Sequence, residues 1–320
     1  MKDAVLYFPF IRVPESDWLT RMLLYWDSVG TIVPYEFLQE PERLGPHTQG
    51  LVFEGLVKPV FPGGYINDLP GFEEEFIDFL LSVGPELETR RERFQTGKHA
   101  PIHLEKLGSL GQSLEDLRLA RKEGNWSLVE LETAEEFMSY LASVLGQLPD
   151  VQAIPVTDRD TGVARLARPS ADSGTEARLK SLRMAIIEDI FPSPSRPLEA
   201  SEIASFKGNH GDLLRRFRLE VEKEVIRLAD FEDEELRQAA AHNLSDRIRE
   251  DTREIESKLQ ESGFGGISTS KWLAVLGNVP VVGKVVNIVT SVSALFEREE
   301  KKVMGPFVYA GYAKAQLLDH

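Results

Sequence analysis

The sequence predicts an α+β protein that is predominantly helical, with an N-terminal α/β domain followed by an α-helical domain. Two observations predict this order. The strand, helix and strand of an α/β unit occur within residues 4–33, and two long, highly charged helical patterns lie beyond residue 200. Because a short acidic turn separates these two patterns, we expect them to form a long antiparallel helical hairpin.

The predicted α/β unit begins with a run of apolar, aromatic and β-branched residues, Ala4 to Ile11, which is typical of a buried strand. Asp17 is expected to cap the helix that follows, since the next residues place apolar side chains on one face. Val29 to Val33 predicts a second strand, which Pro34 ends. This is the order of elements in an α/β unit.

The middle of this domain combines short strand candidates with two helices. Leu51 to Phe53 and Leu56 to Val60 are the strand candidates, and Pro59 argues against a central position for the second one because proline cannot donate to the ladder. Gly71 to Val83 predicts an amphipathic helix, and Pro85 to Gln95 predicts a charged one.

The last part of the domain predicts a strand, a helix and a strand. Trp126 to Leu131 has the composition of a strand. Thr133 is expected to cap a helix that extends to Leu148, with Glu136 at the capping-box position. Val151 to Val156 predicts the final strand of this half of the chain.

The domain boundaries are predicted from composition. The expected parts are an α/β domain at 1–165, a Pro- and Ser-rich linker with a short helix at 166–200, and a helical domain at 201–320. The prolines between Pro192 and Pro197 exclude a helix or a central strand there. Ser201 to Ala229 and Phe231 to Ser262 carry the two long helical patterns, whose alternating charges suit a solvated outer face.

An apolar segment from Trp272 to Phe296 is the most informative feature of the helical domain. Its length would suit a membrane helix, but Pro280 and Lys284 lie near its middle. Three alternatives stay open: packing inside the protein or an oligomer, association with a membrane, and burial until a trigger frees the segment. The residues expected to contact a partner or a membrane are Trp272, Val282, Val286, Val289 and Phe296.

The composition excludes several classes of function. The net charge is -15 and the pI is near 5.0, and this acidity opposes binding to the phosphate backbone of a nucleic acid. The chain contains no cysteine, which excludes disulfides, thiolate metal sites and a cysteine nucleophile. The first residues do not have the pattern of a signal peptide, so we expect a cytoplasmic protein, with peripheral membrane association as the alternative.

Three stretches carry residue types that could support chemistry. Gly277 to Val285 departs from a phosphate-binding loop in its spacing and in lacking the metal-binding hydroxyl, so a turn between apolar helices is favoured. His99 and His103 with Glu105 could form a metal site on a loop, but Pro101 opposes a helix there, and ordinary hydrogen-bonded histidines are favoured. Neither a metal nor a cofactor is predicted.

The third stretch is Thr157-Asp158, which follows the last predicted strand of the first domain. Polar residues at the carboxyl ends of strands line clefts in α/β proteins. An ordinary turn is the favoured alternative, because the residues that follow have turn chemistry.

Several short phrases of the sequence resemble a bacterial family known only as a domain of unknown function. The phrases are Leu6 to Pro9, Trp18-Leu19, Leu24 to Asp27, Ile32 to Pro34, His103 to Leu107, Ile154 to Asp158, Phe206-Lys207 and Phe217-Arg218. They extend over most of the chain. The resemblance implies a bacterial origin and synthesis in the cytoplasm, and it brings neither an activity nor a catalytic residue.

The sequence therefore favours a non-enzymatic interaction or regulatory protein, which contacts a protein partner or a second copy of itself through the helical hairpin and the apolar segment. One alternative is a membrane-associated effector of a defence or toxin type. Another is an enzyme with a cleft near Thr157 and Asp158. Its candidate binding residues are Thr157, Asp158, His103 and Glu105.

Overall fold

The computed structural model describes residues 2–67, 69–159, 173–261 and 307–318. It divides the chain into two compact units, Met1–Gly174 and Thr175–His320. A small parallel sheet lies in the N-terminal part of the chain and helices follow it, so the predicted class, α+β and predominantly helical, is confirmed.

A four-stranded parallel sheet forms the centre of the N-terminal unit. Its strands are β1 (Ala4–Tyr7), β2 (Ser28–Ile32), β3 (Val57–Val60) and β7 (Ala153–Val156), in the spatial order β3-β2-β1-β7. All neighbours pair in parallel. Pro59 lies in β3 and Pro155 in β7, and both strands are at the edges, where the missing N–H of proline is tolerated.

Helices cover this sheet and connect its strands. In the first half of the unit they are α1 (Asp17–Tyr25), α2 (Tyr35–Gln39), α3 (Pro46–Phe53), α4 (Gly63–Ile66), α5 (Phe72–Ser82) and α6 (Pro85–Gln95). A 3₁₀ turn, Pro41–Leu44, precedes α3. The predicted cap at Asp17 is wrong by one residue, because the Ser16 hydroxyl accepts the N–H of Leu19.

The predicted strand at Leu51 to Phe53 is wrong, because these residues form the last turn of α3. Pro46 occupies the first turn of this helix, where its fixed φ and missing N–H are compatible with helical geometry. Gly45 precedes it with a φ of 77°, which turns the chain into the helix. Leu51 is buried and Phe53 is exposed, so the apolar triplet spans both sides of one helical turn.

A second, antiparallel sheet has three strands in the order β4-β6-β5. Its strands are β4 (His99–His103), β5 (Ala120–Glu123) and β6 (Trp126–Glu130), and β4 pairs with β6 so that His103 lies opposite Trp126. Two short helices, α7 (Leu104–Leu107) and α8 (Leu110–Asp116), connect β4 to β5. Helix α7 is a single turn that begins immediately after His103.

The long helix α9 (Leu131–Gln147) connects the antiparallel sheet to strand β7. The predicted cap at Thr133 is wrong: Glu130 caps the helix and accepts both the N–H and the hydroxyl of Thr133, each at 2.8 Å. The predicted capping-box residue Glu136 instead binds Arg90 of α6. Tertiary pairing with a buried arginine therefore overrides the local capping pattern.

The described residues of the C-terminal unit are helical. It contains α10 (Ser173–Ile190), α11 (Ala200–Ala229), α12 (Glu234–Glu261) and α13 (Val308–Ala313), which continues into a π-helical turn, Lys314–Leu318. Helices α11 and α12 form the predicted antiparallel hairpin. Phe191, Phe206 and Phe217 pack around the buried ring of Tyr309, with centroid distances of 5.3–6.3 Å.

The apolar segment from Trp272 to Phe296 lies outside the described residues, as do its expected contact residues Trp272, Val282, Val286, Val289 and Phe296. Within the ranges that the structure describes, no helix has both the length and the apolar character that crossing a bilayer requires.

Candidate functional site

A cavity of about 610 Å³ lies in the N-terminal unit, beside the carboxyl ends of the parallel strands. We call it the Lys106 cleft. Residues 9–12 follow β1, Phe37 follows β2 and Arg159 follows β7, and β4 and α9 complete the wall. The polar lining residues are Arg12, His99, His103, Lys106, Glu135 and Arg159. In open α/β sheets, ligands usually bind at this edge, outside the carboxyl ends of the strands.

Lys106 is the most unusual of these residues. It lies in the one-turn helix α7, and only 3% of its surface is exposed. Within the described parts of the chain, its Nζ makes no hydrogen bond or ion pair. Burial alone lowers the pKa of Lys106 from its ordinary value to about 7, since a charged amine loses hydration in this wall. A substantial fraction of the protein therefore carries a neutral amine at this position at neutral pH.

His103 lies one helical turn before Lys106 and lines the same cleft. Its Nδ1 accepts the backbone N–H of Glu105 at 3.3 Å, which assigns the proton of the neutral imidazole to Nε2. Among the described residues this Nε2 has no hydrogen-bond partner, since Glu36 Oε1 lies 3.8 Å away. Burial, with a smaller contribution from Lys106, lowers the pKa of His103 and favours the neutral ring.

Arginines lie at the exposed side of the cleft. Arg159 stacks over the ring of Phe10 at 4.3 Å and donates from Nη1 to Glu135 at 3.3 Å. Arg12 donates from Nε and Nη2 to the carbonyl oxygen of Arg43, at 3.2 and 2.8 Å. These contacts hold each guanidinium in place while part of its N–H edge stays available to a ligand.

Thr157 and Asp158, the residues predicted at the end of the last strand, lie next to the cleft rather than in its lining. The buried Tyr7 donates its hydroxyl hydrogen to Asp158 Oδ1 at 3.0 Å, and Thr157 Oγ1 accepts the N–H of Arg159 at 3.2 Å. Both residues thus shape the turn that presents Arg159. The sequence pattern located this edge of the sheet but selected the two residues before the one that lines the cleft.

Glu105, also a candidate from the sequence, has a structural contact. Its Oε2 accepts the N–H of Tyr35 at 2.5 Å, and so ties α7 to the segment after β2. His103 and His99 both line the cleft. No group of three or more histidine, aspartate or glutamate side chains in the described ranges has the geometry to hold a metal ion.

Sequence reasoning missed Lys106. The surrounding sequence, Leu104 to Leu107, is typical of an amphipathic turn, in which a lysine is normally solvated. The only available signal was the proximity of Lys106 to His103, three residues before it.

Comparisons of this chain with models of protein families, with curated proteins and with solved structures found no match. The resemblance to a bacterial domain of unknown function therefore stays a prediction.

A second cavity, of about 550 Å³, lies in the C-terminal unit between α10 and α12. Asp189 in its wall is paired with Arg249 at 2.8 Å. Arg237 also lies in this wall and donates to the carbonyl oxygen of Phe231 at 2.7 Å. These two side chains thus serve the packing of the helices, and the Lys106 cleft is the stronger candidate.

Proposed function

We propose that the N-terminal domain binds a small organic anion in the Lys106 cleft. The observation that carries this proposal is the buried amine of Lys106, which lines a cavity without a carboxylate partner among the described residues. A buried lysine without a counter-ion destabilises a protein. An anionic ligand would supply the missing partner.

The charge distribution supports an anion. The chain as a whole has a net charge of -15. The charged lining of the cleft has the opposite balance, with Arg12, Lys106 and Arg159 against Glu135. A positively charged cleft in an acidic protein focuses a positive electrostatic potential at one place, and this potential attracts small anions.

The size and the walls of the cleft support a small molecule. Its volume of about 610 Å³ is within the usual range of roughly 300–1,000 Å³ for ligand sites. Most of its wall is apolar, with Phe10, Phe37, Trp126 and Met138 among its residues. An apolar wall with a few convergent polar groups is the usual composition of such sites.

Thermal shift measurements with small carboxylates and phosphates would test the proposal. We expect at least one anion to raise the Tm of the wild-type protein in a concentration-dependent manner. The Lys106→Met variant should lose this response, whereas Lys98→Met, which removes an exposed lysine of the same unit, should keep it. Equal responses of the wild type and Lys106→Met to every anion would contradict the proposal.

The interaction function predicted from the sequence is a second candidate, and one observation favours it. Leu219 and Ile226 are 54% and 57% exposed on α11, and their spacing of seven residues places them on one face of the helix. We propose that this face mediates self-association. Sedimentation of the wild type and of a Leu219→Ser/Ile226→Ser double variant would test it, since a monomeric wild type would exclude it.

Membrane association through Trp272 to Phe296 also stays a proposal. A truncation before this segment would remove Tyr309, which is buried in the C-terminal unit. Substitution of Val286 and Val289 by aspartate in the full chain is therefore the better test. Flotation with anionic liposomes should be lost in that variant; a wild type that does not float would exclude the proposal.

A further inference from the structure

We propose that Lys106 forms a covalent imine with a carbonyl group of the bound anion, and that His103 assists by donating a hydrogen bond from Nε2 to the carbonyl oxygen. This inference rests on the proposed binding function of the Lys106 cleft and specifies the class of ligand. The ligand is an aldehyde or ketone that also carries a carboxylate or a phosphate.

Three features of Lys106 suit a nucleophilic amine. It is buried and lines a cavity large enough for a small molecule. Within the described residues no carboxylate pairs with its Nζ, and such a partner would hold the amine in its protonated form. The neutral form is well populated at neutral pH, since the pKa is about 7. Enzymes that form Schiff bases activate a lysine in the same way, by desolvation.

His103 provides the complementary group. Its Nδ1 is occupied by the N–H of Glu105, so the neutral ring carries its hydrogen on Nε2. That N–H is buried and has no acceptor in the described part of the chain. A neutral imidazole can donate a hydrogen bond to a carbonyl oxygen and so polarise the carbon that the amine attacks. The ring is fixed by an edge-to-face contact with Trp126, with centroids 5.0 Å apart.

The reaction balances without a further reagent. The lone pair of the neutral Nζ attacks the carbonyl carbon, and the C=O π electrons move to oxygen, which accepts a hydrogen bond from His103 Nε2. A proton then passes from the nitrogen to that oxygen, which gives a carbinolamine. The hydroxyl group takes a proton from solvent and leaves as water while the nitrogen lone pair forms the C=N bond, and the resulting iminium returns a proton to solvent. The net change is amine plus carbonyl giving imine plus water.

The anionic group of the ligand would meet the guanidinium groups at the exposed side of the cleft. Arg159 is oriented there by Phe10 and Glu135, and Arg12 by the backbone of Arg43. Guanidinium groups bind carboxylate and phosphate through paired N–H donors. Both anions are therefore included as separate arms of the test.

The test is reductive trapping on the full-length protein with sodium cyanoborohydride. Glyoxylate and pyruvate are the carboxylate probes, and glyceraldehyde 3-phosphate is the phosphate probe. Peptide mapping should locate the reduced adduct at Lys106, in excess over the exposed Lys98 by roughly a thousandfold, because about half of an amine with a pKa of about 7 is neutral at pH 7 and far less of an ordinary lysine is. Lys106→Arg should lack the adduct, and His103→Gln should slow its formation without moving it.

Two further measurements make the mechanism specific. The rate of labelling should rise with pH, reach half of its maximum near the pKa of about 7 and level roughly one to two pH units above it, because it follows the neutral amine of Lys106. The ionisable groups around it are His99, His103, Glu135, Arg12 and Arg159 in the cleft wall, with Glu36 and Glu105 near His103. Arg159→Gln should raise the probe concentration for half-maximal labelling, whereas Arg121→Gln, at an exposed strand residue, should not.

The outcomes separate this inference from the binding proposal. Selective adducts at Lys106 with either type of probe support the imine, and the arm that succeeds identifies the anionic group. If anions shift the Tm through Lys106 but all three probes label it no more than Lys98, the imine is excluded and the binding proposal stands. If neither effect is observed, both are excluded.

Discussion

His103 and Lys106 lie three residues apart in one short turn, and both are buried residues that line the same cavity. His103 ends strand β4 and caps α7, and Lys106 is the third residue of that helix. Burial is the main reason why the pKa of His103 is lowered; Glu105 and Glu36 raise it, and Lys106 adds a smaller lowering. The neutral forms of both side chains are therefore mutually compatible near neutral pH.

Lys106→Met should stabilise the protein. The folded state holds this pKa at about 7, below the ordinary 10.5, so the unfolded chain binds the proton more tightly. The resulting penalty is largest at pH 7 and below, and vanishes as the pH rises toward 10.5. The difference between these pKa values corresponds to a loss of as much as about 5 kcal/mol in the free energy of unfolding. Urea unfolding of both proteins between pH 6 and pH 10 would measure the effect.

Lys98→Met is the matched control for this experiment, since Lys98 is exposed and should change the free energy of unfolding by less than about 0.5 kcal/mol. The argument fails if Lys106→Met is less stable than the wild type at pH 7. A stabilised variant that no longer responds to anions would identify Lys106 as a residue whose function has a cost in stability.

Tyr7→Phe should weaken the turn that presents Arg159. The Tyr7 hydroxyl donates to Asp158 at 3.0 Å, and burial raises the pKa of Tyr7, so it remains a donor throughout the working pH range. Loss of the bond should cost about 1 kcal/mol in unfolding free energy. It should also reduce the response to anions, because Arg159 follows Asp158 directly. Tyr35→Phe, at an exposed tyrosine, is the control; equal losses in both variants would contradict the assignment.

The sequence predicted those parts of the fold in which local pattern and tertiary environment agree. Helix α6 has the predicted bounds, Pro85–Gln95, and the edge position of β3 follows from Pro59. For the cleft, the sequence predicted only a position, at the end of the strand before Thr157. The burial of Lys106 depends on packing between a one-turn helix and distant segments, and no pattern within α7 reports it.

Arg90→Met should destabilise the N-terminal unit by about 3–5 kcal/mol, the usual cost of breaking a buried ion pair. Arg90 is fully buried and donates to Glu136 at 2.5 and 3.0 Å and to Thr133 at 3.2 Å. Its loss leaves the carboxylate of Glu136 buried without this partner. Guanidinium unfolding would measure the change, and the double variant Arg90→Met/Glu136→Leu should recover most of it.

The exposed pair of Arg121 and Glu123, at 2.7 Å, provides the comparison for this ion pair. Arg121→Met should change stability by no more than about 1 kcal/mol, because solvent screens the pair. Similar effects of the two arginine substitutions would mean that burial does not control the strength of the Arg90 interaction. Failure of the double variant to recover would point instead to lost packing.

Gly146→Ala should destabilise the protein, whereas Gly50→Ala should stabilise it. A Cβ at Gly146, in α9, would collide with the backbone oxygen of Ala153 in β7, so helix and strand would have to separate. We expect a cost of about 1–3 kcal/mol, as for other overpacked sites. Gly50 lies inside α3 with no atom near its Cβ position, and alanine there should add up to about 1 kcal/mol of stability through helix propensity. Thermal unfolding of the two variants would compare them.

A stabilising Gly146→Ala substitution would contradict the close approach of α9 to β7, on which the position of the Thr157–Arg159 turn beside the cleft depends.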